Sequence, residues 1–98
     1  MNVTMDRNGT ELNVRVEGRL DTLTSPQLEE QLEPALDGVT KLIFDFEALD
    51  YISSAGLRIL LACLQTMEDR DGMIVRNVSR DVMEIFEVTG FVDVLTVE

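Results

Sequence analysis

The sequence predicts one mixed α/β domain spanning residues 1–98. Two features of the pattern lead to this prediction: an Asn8-Gly9 dipeptide between two alternating apolar segments, and short apolar runs that alternate with segments of helical periodicity. We expect a mixed β-sheet of four to five strands that starts with an antiparallel hairpin and continues through β-α units. Three or more helices should pack on the sheet. A chain of 98 residues with 45% hydrophobic residues is large enough for one such core.

The N-terminal segment predicts the hairpin. Apolar and polar residues alternate on both sides of Asn8-Gly9, and both of those residues accept the positive φ that a tight two-residue turn needs. The apolar members are Val3, Met5, Leu12, Val14 and Val16. A turn-rich connection, residues 18–22, should follow the second strand.

The next segment predicts a helix and a buried strand. Ser25-Pro26 has the pattern of a hydroxyl cap followed by a proline at the helix start. Three leucines then recur at intervals of four, Gly38 marks the end, and Pro34 is expected to kink or shorten the helix. The run Leu42-Ile43-Phe44 is typical of a central strand, and residues 47–52 are predicted to form a loop.

The C-terminal half predicts two further helices. Ser53-Ser54 opens one of them, and Ser79 caps the other, which Gly90 ends. The first of these carries an apolar stripe of Leu57, Leu60, Leu61, Leu64 and Met67. Between them, residues 73–75 form a short apolar strand. The last residues, 92–97, should add a short strand or an apolar C-terminal pad, and the alternation after the hairpin implies parallel pairing.

Composition excludes several functions. Eight Lys and Arg against 19 Asp and Glu give a net charge of −11, which argues against nucleic acid and against an anionic membrane surface as partners. Without histidine, neither a histidine-based triad nor a histidine-ligated metal site is possible. The single Cys63 fits a reducing compartment and most simply fills the core. With no signal peptide pattern in the sequence, we expect a cytoplasmic location.

The most unusual local sequence is Ser53-Ser54-Ala55-Gly56-Leu57-Arg58, at a junction of strand, loop and helix. A helix N-terminus has unpaired N–H groups and a positive dipole end, so a phosphate is well accommodated there. A glycine inside a helix, such as Gly56, costs about 1 kcal/mol of stability relative to alanine. Its presence would be explained if another backbone, of a partner or of this domain, came close to the helix at this point. The simpler interpretation is that the serine is only a cap and that Gly56 only relieves packing.

The segment from Phe44-Asp45 to Leu61, with Ile52-Ser53-Ser54-Ala55-Gly56-Leu57, resembles the signature of STAS domains, specifically of the bacterial anti-sigma-factor antagonists. Gly18-Arg19-Leu20-Asp21 resembles their second motif, and the likeness extends over the whole chain. It implies a non-enzymatic regulator that uses no cofactor or metal. In this family an anti-sigma factor with serine kinase activity phosphorylates the serine at the position of Ser54, and a serine phosphatase would reverse the step.

The resemblance also implies which residues meet the partner. Asp21 has the position of the acidic residue in the strand-end motif, and in this family that residue contributes to the surface that faces the kinase. Family members often carry aspartate immediately before the acceptor, and this chain has Ser53 there, so Ser53 is the alternative acceptor. The unphosphorylated form would bind the anti-sigma factor, and phosphorylation would release it. The predicted partner-binding residues are Asp21, Thr22, Ser53, Gly56, Leu57 and Arg58.

Other functions stay open at this stage. Isolated STAS domains also serve as constitutive accessory subunits of transporters or signalling scaffolds, in which Ser54 would be structural. Nucleotide or small-ligand binding is a third hypothesis, weakened because neither GxxxxGK[ST] nor GxGxxG occurs. Asp45 could be a receiver-type phosphoacceptor or, with Glu47, a magnesium ligand, but two carboxylates alone are weak support. Asp21 could equally be only a turn residue.

Overall fold

The computed structural model describes residues 1–98 and has five strands and three α-helices. In chain order they are β1 (Asn2–Asn8), β2 (Glu11–Leu20), α1 (Ser25–Ala35), β3 (Lys41–Asp45), β4 (Leu49–Ile52), α2 (Ser54–Met67), β5 (Gly72–Arg76) and α3 (Arg80–Thr89). A short 3-10 helix, Phe91–Asp93, follows α3. The predicted mixed sheet, N-terminal hairpin and three packed helices are thereby confirmed.

The sheet has the strand order β1-β2-β3-β5, and β4 pairs with the far end of β2. Strands β1 and β2 are antiparallel around Gly9, whose φ is +67°. All other pairings between strands are parallel. The ten residues of β2 therefore serve two neighbours, since Glu11–Arg15 pair with β3 and Gly18–Leu20 pair with β4 across a register shift.

One core of 22 buried residues joins the sheet to the helices. Strand β2 alternates as predicted, because Leu12, Val14 and Val16 are buried while the residues between them are partly exposed. The central strand β3 buries Leu42, Ile43 and Phe44, as its apolar run predicts. Each helix contributes to the core, which holds them on the sheet. The helical members are Leu28, Leu32, Leu57, Ile59, Leu60, Cys63, Met67, Val82 and Phe86.

Two local predictions are corrected. Residues 49–52 are strand β4 and not loop, because Leu49 and Ile52 are buried and the backbone pairs with β2. Helix α1 starts one residue earlier than a Ser25 cap would allow. Thr24 holds the cap position without a side-chain bond to the helix, and the Ser25 hydroxyl is buried with no partner. Of the two alternatives for residues 92–97, the apolar pad is the one that forms: Leu95 is buried in the core, Val92 and Val97 pack against it, and a single bridge, Val75 to Val97, replaces a strand.

The helix ends follow their predicted signals elsewhere. Helix α1 stops at Ala35, one residue after Pro34 and before Gly38. Ser79 accepts a hydrogen bond from the Val82 N–H (3.4 Å) at the start of α3, and Gly90 ends that helix with φ +81°. The serine cap and the glycine end of α3 are therefore the ones that the sequence predicts.

Candidate functional site

Ser53 joins the start of α2 to the end of β2. Its N–H donates to the Leu20 carbonyl oxygen at 2.8 Å, and its hydroxyl accepts from the Gly56 N–H at 3.4 Å. The backbone of Ser53 is extended, as the residue before a helix usually is. Ser53 is half-buried, and its hydroxyl is the cap of α2.

Ser54 is the first residue of α2 and is exposed. Nothing in the chain hydrogen-bonds its hydroxyl. The backbone N–H groups in the first turn of a helix lack intrahelical acceptors, and the dipole is positive there, so added negative charge at this position is favourable. The two adjacent serines therefore occupy different environments, one holding the helix start and the other open to solvent.

Gly56 is buried against its own domain. A Cβ at this position would lie 2.7 Å from Cγ1 of Ile52 and 2.9 Å from Cγ of Leu20. The close approach that a glycine here suggested is thus made by β2 and β4 and not by a visiting protein. Gly56 is removed from the predicted partner-binding surface and becomes part of the packing that seats α2 on the sheet.

Leu57 is also removed from that surface. Leu57 is 5% exposed and belongs to the core together with Leu60 and Met67 of the predicted apolar stripe, whereas Leu61 and Leu64 of that stripe are only half-buried. Arg58, the next residue, is exposed and forms neither an ion pair nor a hydrogen bond within the chain. Of the residues that follow Ser54 in the first turn and a half, Arg58 is the one that offers a charge to a partner.

Asp21 organises the loop between β2 and α1. Its Oδ1 accepts from the N–H groups of Leu23 and Thr24, each at 3.0 Å, and its own N–H donates to the Thr24 hydroxyl at 2.8 Å. These bonds lower the pKa of Asp21, the Thr24 backbone bond being the strongest cause and Arg19 a weaker one. The turn role that the sequence allowed for Asp21 is therefore present.

The loop and α2 meet at a shallow groove of about 470 Å³. Thr22, Ser25 and Pro26 line it on one side, and Ala55 and Arg58 line it on the other. Of the predicted partner-binding residues, Thr22 and Arg58 are thus brought together here. Ser53 is also at this edge, through its bond to Leu20.

Two features of this edge of the molecule were not predicted. Leu23 is 81% exposed, and the guanidinium of Arg19 lies 4.4 Å from the centre of the Tyr51 ring. The stacking depends on strand β4, whose Tyr51 pairs in register with Arg19, so a sequence interpretation that treats residues 47–52 as a loop cannot find it. Leu23 sits between two threonines and has no periodic pattern that would have marked it.

The acidic residues do not assemble a metal site. Nowhere in the chain do three or more potential acidic or thiol ligands cluster. Asp45 instead accepts from the Glu47 N–H at 3.0 Å, and its other oxygen lies 3.7 Å from Arg15. Asp45 therefore has a structural role at the end of β3.

Cys63 is buried in α2, where it faces α1. Burial, with a smaller effect of Glu29, raises the pKa of the thiol to about 11. A protonated thiol at this depth is a packing group, as the sequence predicts.

None of the helices has the length and hydropathy that crossing a bilayer requires.

The profile of the STAS domain family matches residues 2–98. The chain belongs to the STAS domain family. A relative in Staphylococcus aureus, the anti-sigma-B factor antagonist, is 34% identical over 86% of this chain and 80% of its own length.

Two solved structures share the fold of this STAS domain. An anti-sigma factor antagonist from Mycobacterium paratuberculosis superimposes with a TM-score of 0.88 at 23% identity, covering 98% of this chain and 83% of its own. The Bacillus cell fate determinant SpoIIAA in its phosphorylated form gives 0.75 at 22% identity, covering 99% and 91%.

Proposed function

We propose that this STAS domain is an anti-sigma-factor antagonist that works by partner switching. In its unphosphorylated form it binds an anti-sigma factor that is also a serine kinase, and phosphorylation of Ser54 releases that partner. A serine phosphatase restores the binding form. The chain is a regulator and not an enzyme, and it acts in the cytoplasm, where sigma factors act.

The observation that carries this proposal is the exposed hydroxyl of Ser54, unbonded at the first residue of α2, in a chain 34% identical to an anti-sigma-B factor antagonist. A kinase needs a hydroxyl that it can reach. Ser53 is the poorer acceptor, because it is half-buried and its hydroxyl oxygen already accepts the Gly56 N–H as the cap of α2.

Phosphorylation would act on the interface and leave the fold in place. A phosphoserine adds about 1.5 to 2 negative charges and three acceptor oxygens. The N-terminus of α2 tolerates these because its dipole favours negative charge. A desolvated partner surface packed against Ser54 does not tolerate them. A loss of about 4 kcal/mol of binding free energy weakens binding about a thousandfold, which suffices for an on/off switch.

Phosphate transfer to defined serine variants tests the proposal. Each anti-sigma-factor kinase of the source organism is incubated with the purified chain and ATP, and the products are analysed by intact and peptide mass spectrometry. We expect one phosphate on the wild type and none on Ser54→Ala. Ser53→Asp is the matched control: it removes the other hydroxyl, keeps a carboxylate as helix cap, and should still be phosphorylated.

The alternatives give different results. Undiminished phosphate on Ser54→Ala would identify Ser53 or another residue as the acceptor. A partner that binds the wild type but transfers no phosphate would favour a constitutive accessory subunit of a transporter or scaffold. The wild type binding to none of these kinases would overturn the proposed function.

A further inference from the structure

Leu23 is the most exposed of the large hydrophobic side chains, at 81%, followed by Val88 at 79% and Val94 at 51%. One exposed apolar residue is ordinary on a protein surface and by itself indicates nothing. Leu23 differs from the other two in its position, because it lies in the loop between β2 and α1 that borders the groove at the start of α2.

Hydrogen bonds on both sides of Leu23 fix its backbone. The Leu23 N–H donates to Oδ1 of Asp21 at 3.0 Å, and the Thr24 hydroxyl lies 2.8 Å from both the Asp21 N–H and the Arg19 carbonyl oxygen. Each of these bonds engages backbone or a neighbouring side chain, so the isobutyl group of Leu23 stays free. Because the loop is already ordered, little backbone entropy is lost when a partner covers it.

The loop also lies beside the proposed switch. The Leu20 carbonyl oxygen, one residue before Asp21, accepts the Ser53 N–H at 2.8 Å. Thr22, the residue before Leu23, lines the groove together with Ala55 and Arg58 at the start of α2. The loop that carries Leu23 therefore borders the same groove as Arg58, and a protein surface that spans this groove from α2 reaches the loop.

We propose that Leu23 is the apolar anchor of the partner-binding surface and that Asp21 is its positioning residue. Leu23 enters an apolar pocket of the anti-sigma factor next to Ser54, and Asp21 holds the loop in the shape that makes this possible. The proposal rests on the proposed function, since it names the contact that the same partner makes.

Calorimetric titration of the unphosphorylated chain with the anti-sigma factor that phosphorylates the wild type tests the anchor. We expect Leu23→Ser to weaken binding at least tenfold, because the buried area of a leucine side chain is lost. Val88→Ser is the matched control, with the same kind of change at an equally exposed site on α3, and should stay within twofold of the wild type. Thermal unfolding should be nearly unchanged in both.

Two substitutions of Asp21 distinguish a role in positioning the loop from a direct contact between the Asp21 carboxylate and the partner. Asp21→Asn keeps an oxygen that can accept from the N–H groups of Leu23 and Thr24, whereas Asp21→Ala keeps none. We expect Asp21→Ala to weaken binding at least fivefold and Asp21→Asn to restore most of that loss. Equal weakening by both changes would show that the carboxylate charge contacts the partner directly, and the positioning role would be wrong.

Failure of the anchor and failure of the proposed function look different. If the wild type binds its kinase and Leu23→Ser binds equally well, the anchor is wrong while the switch at Ser54 stands. If no anti-sigma factor binds the wild type, the proposed function fails and the anchor fails with it.

Discussion

The start of α2 leaves no room for one methyl group. Gly56 lies against Leu20 and Ile52, which come from two different strands, so the missing side chain lets the helix approach both. The sequence indicated that this glycine needed a packing reason. It could not say whether the neighbour was internal or a partner, because that depends on where β2 and β4 end.

Gly56→Ala should therefore destabilise the domain. Helix propensity alone would stabilise it by about 1 kcal/mol, but forcing a Cβ into contacts of 2.7 and 2.9 Å should cost more, leaving a net loss of about 1 to 3 kcal/mol. Urea unfolding followed by circular dichroism measures this. Ala62→Gly, at an exposed site of the same helix, is the control and should lose about 1 kcal/mol from propensity alone. A more stable Gly56→Ala would refute the packing role.

Asp21 and Ser25 show what single residues in the sequence do and do not reveal. Asp21 in a turn was readable, because aspartate commonly bonds the backbone two residues ahead, as it does here with Leu23. Ser25-Pro26 has the local sequence pattern of a helix cap, but Ser25 is the first residue of α1. The Thr24 N–H donates to Oδ1 of Asp21, which extends the ordered turn up to the helix, and α1 begins at Ser25 and not after it.

At the scale of elements, periodicity predicted the three α-helices and missed one strand, β4. Each α-helix buries apolar residues at helical spacing, such as Leu28 and Leu32 in α1 and Val82 and Phe86 in α3, and a single sequence shows this spacing. Strand β4 has four residues, and its two buried ones, Leu49 and Ile52, are three apart and do not alternate. Strand β4 forms because it pairs with the last three residues of β2, and this pairing partner lies about 30 residues earlier in the sequence, where a local pattern does not show it. The Arg19–Tyr51 stacking was missed for the same reason.

The contact between α1 and α2 gives a prediction at the same scale. Cys63 faces α1, and burial raises its thiol pKa from an ordinary 9.0 to about 11, so the thiolate fraction at pH 8 falls about a hundredfold. We expect iodoacetamide to modify Cys63 at least a hundredfold more slowly in the folded chain than in urea at pH 8. In a Cys63→Ser background, Ala62→Cys on the exposed side of α2 should react at close to the unfolded rate. Equal rates for Cys63 in both states would mean that α1 does not cover it.

At the scale of the whole molecule, the fold was predictable and the surface around Ser54 only in part. Residues that make the core recur with a period, whereas residues that meet a partner share no pattern and are recognised by exposure. Ser54 and Arg58 are exposed as expected, but Leu57 and Gly56 next to them are buried. The loop that carries Leu23 is distant from α2 in sequence and lies beside its start only after β2 and α2 have docked, as the bond from the Ser53 N–H to the Leu20 carbonyl oxygen shows.

Phosphorylation should leave this architecture intact. Ser54 is exposed and its hydroxyl is not part of any internal bond, so a phosphate displaces nothing in the core. We expect amide chemical-shift changes in a ¹⁵N–¹H correlation spectrum of the phosphorylated chain to be confined to the first two turns of α2 and residues 21–24. The unphosphorylated Ser54→Ala chain, passed through the same kinase reaction, is the control. Shifts spread through the sheet would show that the switch reorganises the fold.

The two edges of the sheet are unequally protected. At one edge the C-terminal residues lie along β5. The Val75 N–H donates to the Thr96 carbonyl oxygen, and the Val75 carbonyl oxygen accepts from the Glu98 N–H. The other edge is β1, which keeps a row of unpaired backbone donors and acceptors along seven residues. Self-association by strand addition would begin there if the chain were concentrated, and the exposed Asp6 and Arg7 make a neighbouring strand costly to accept.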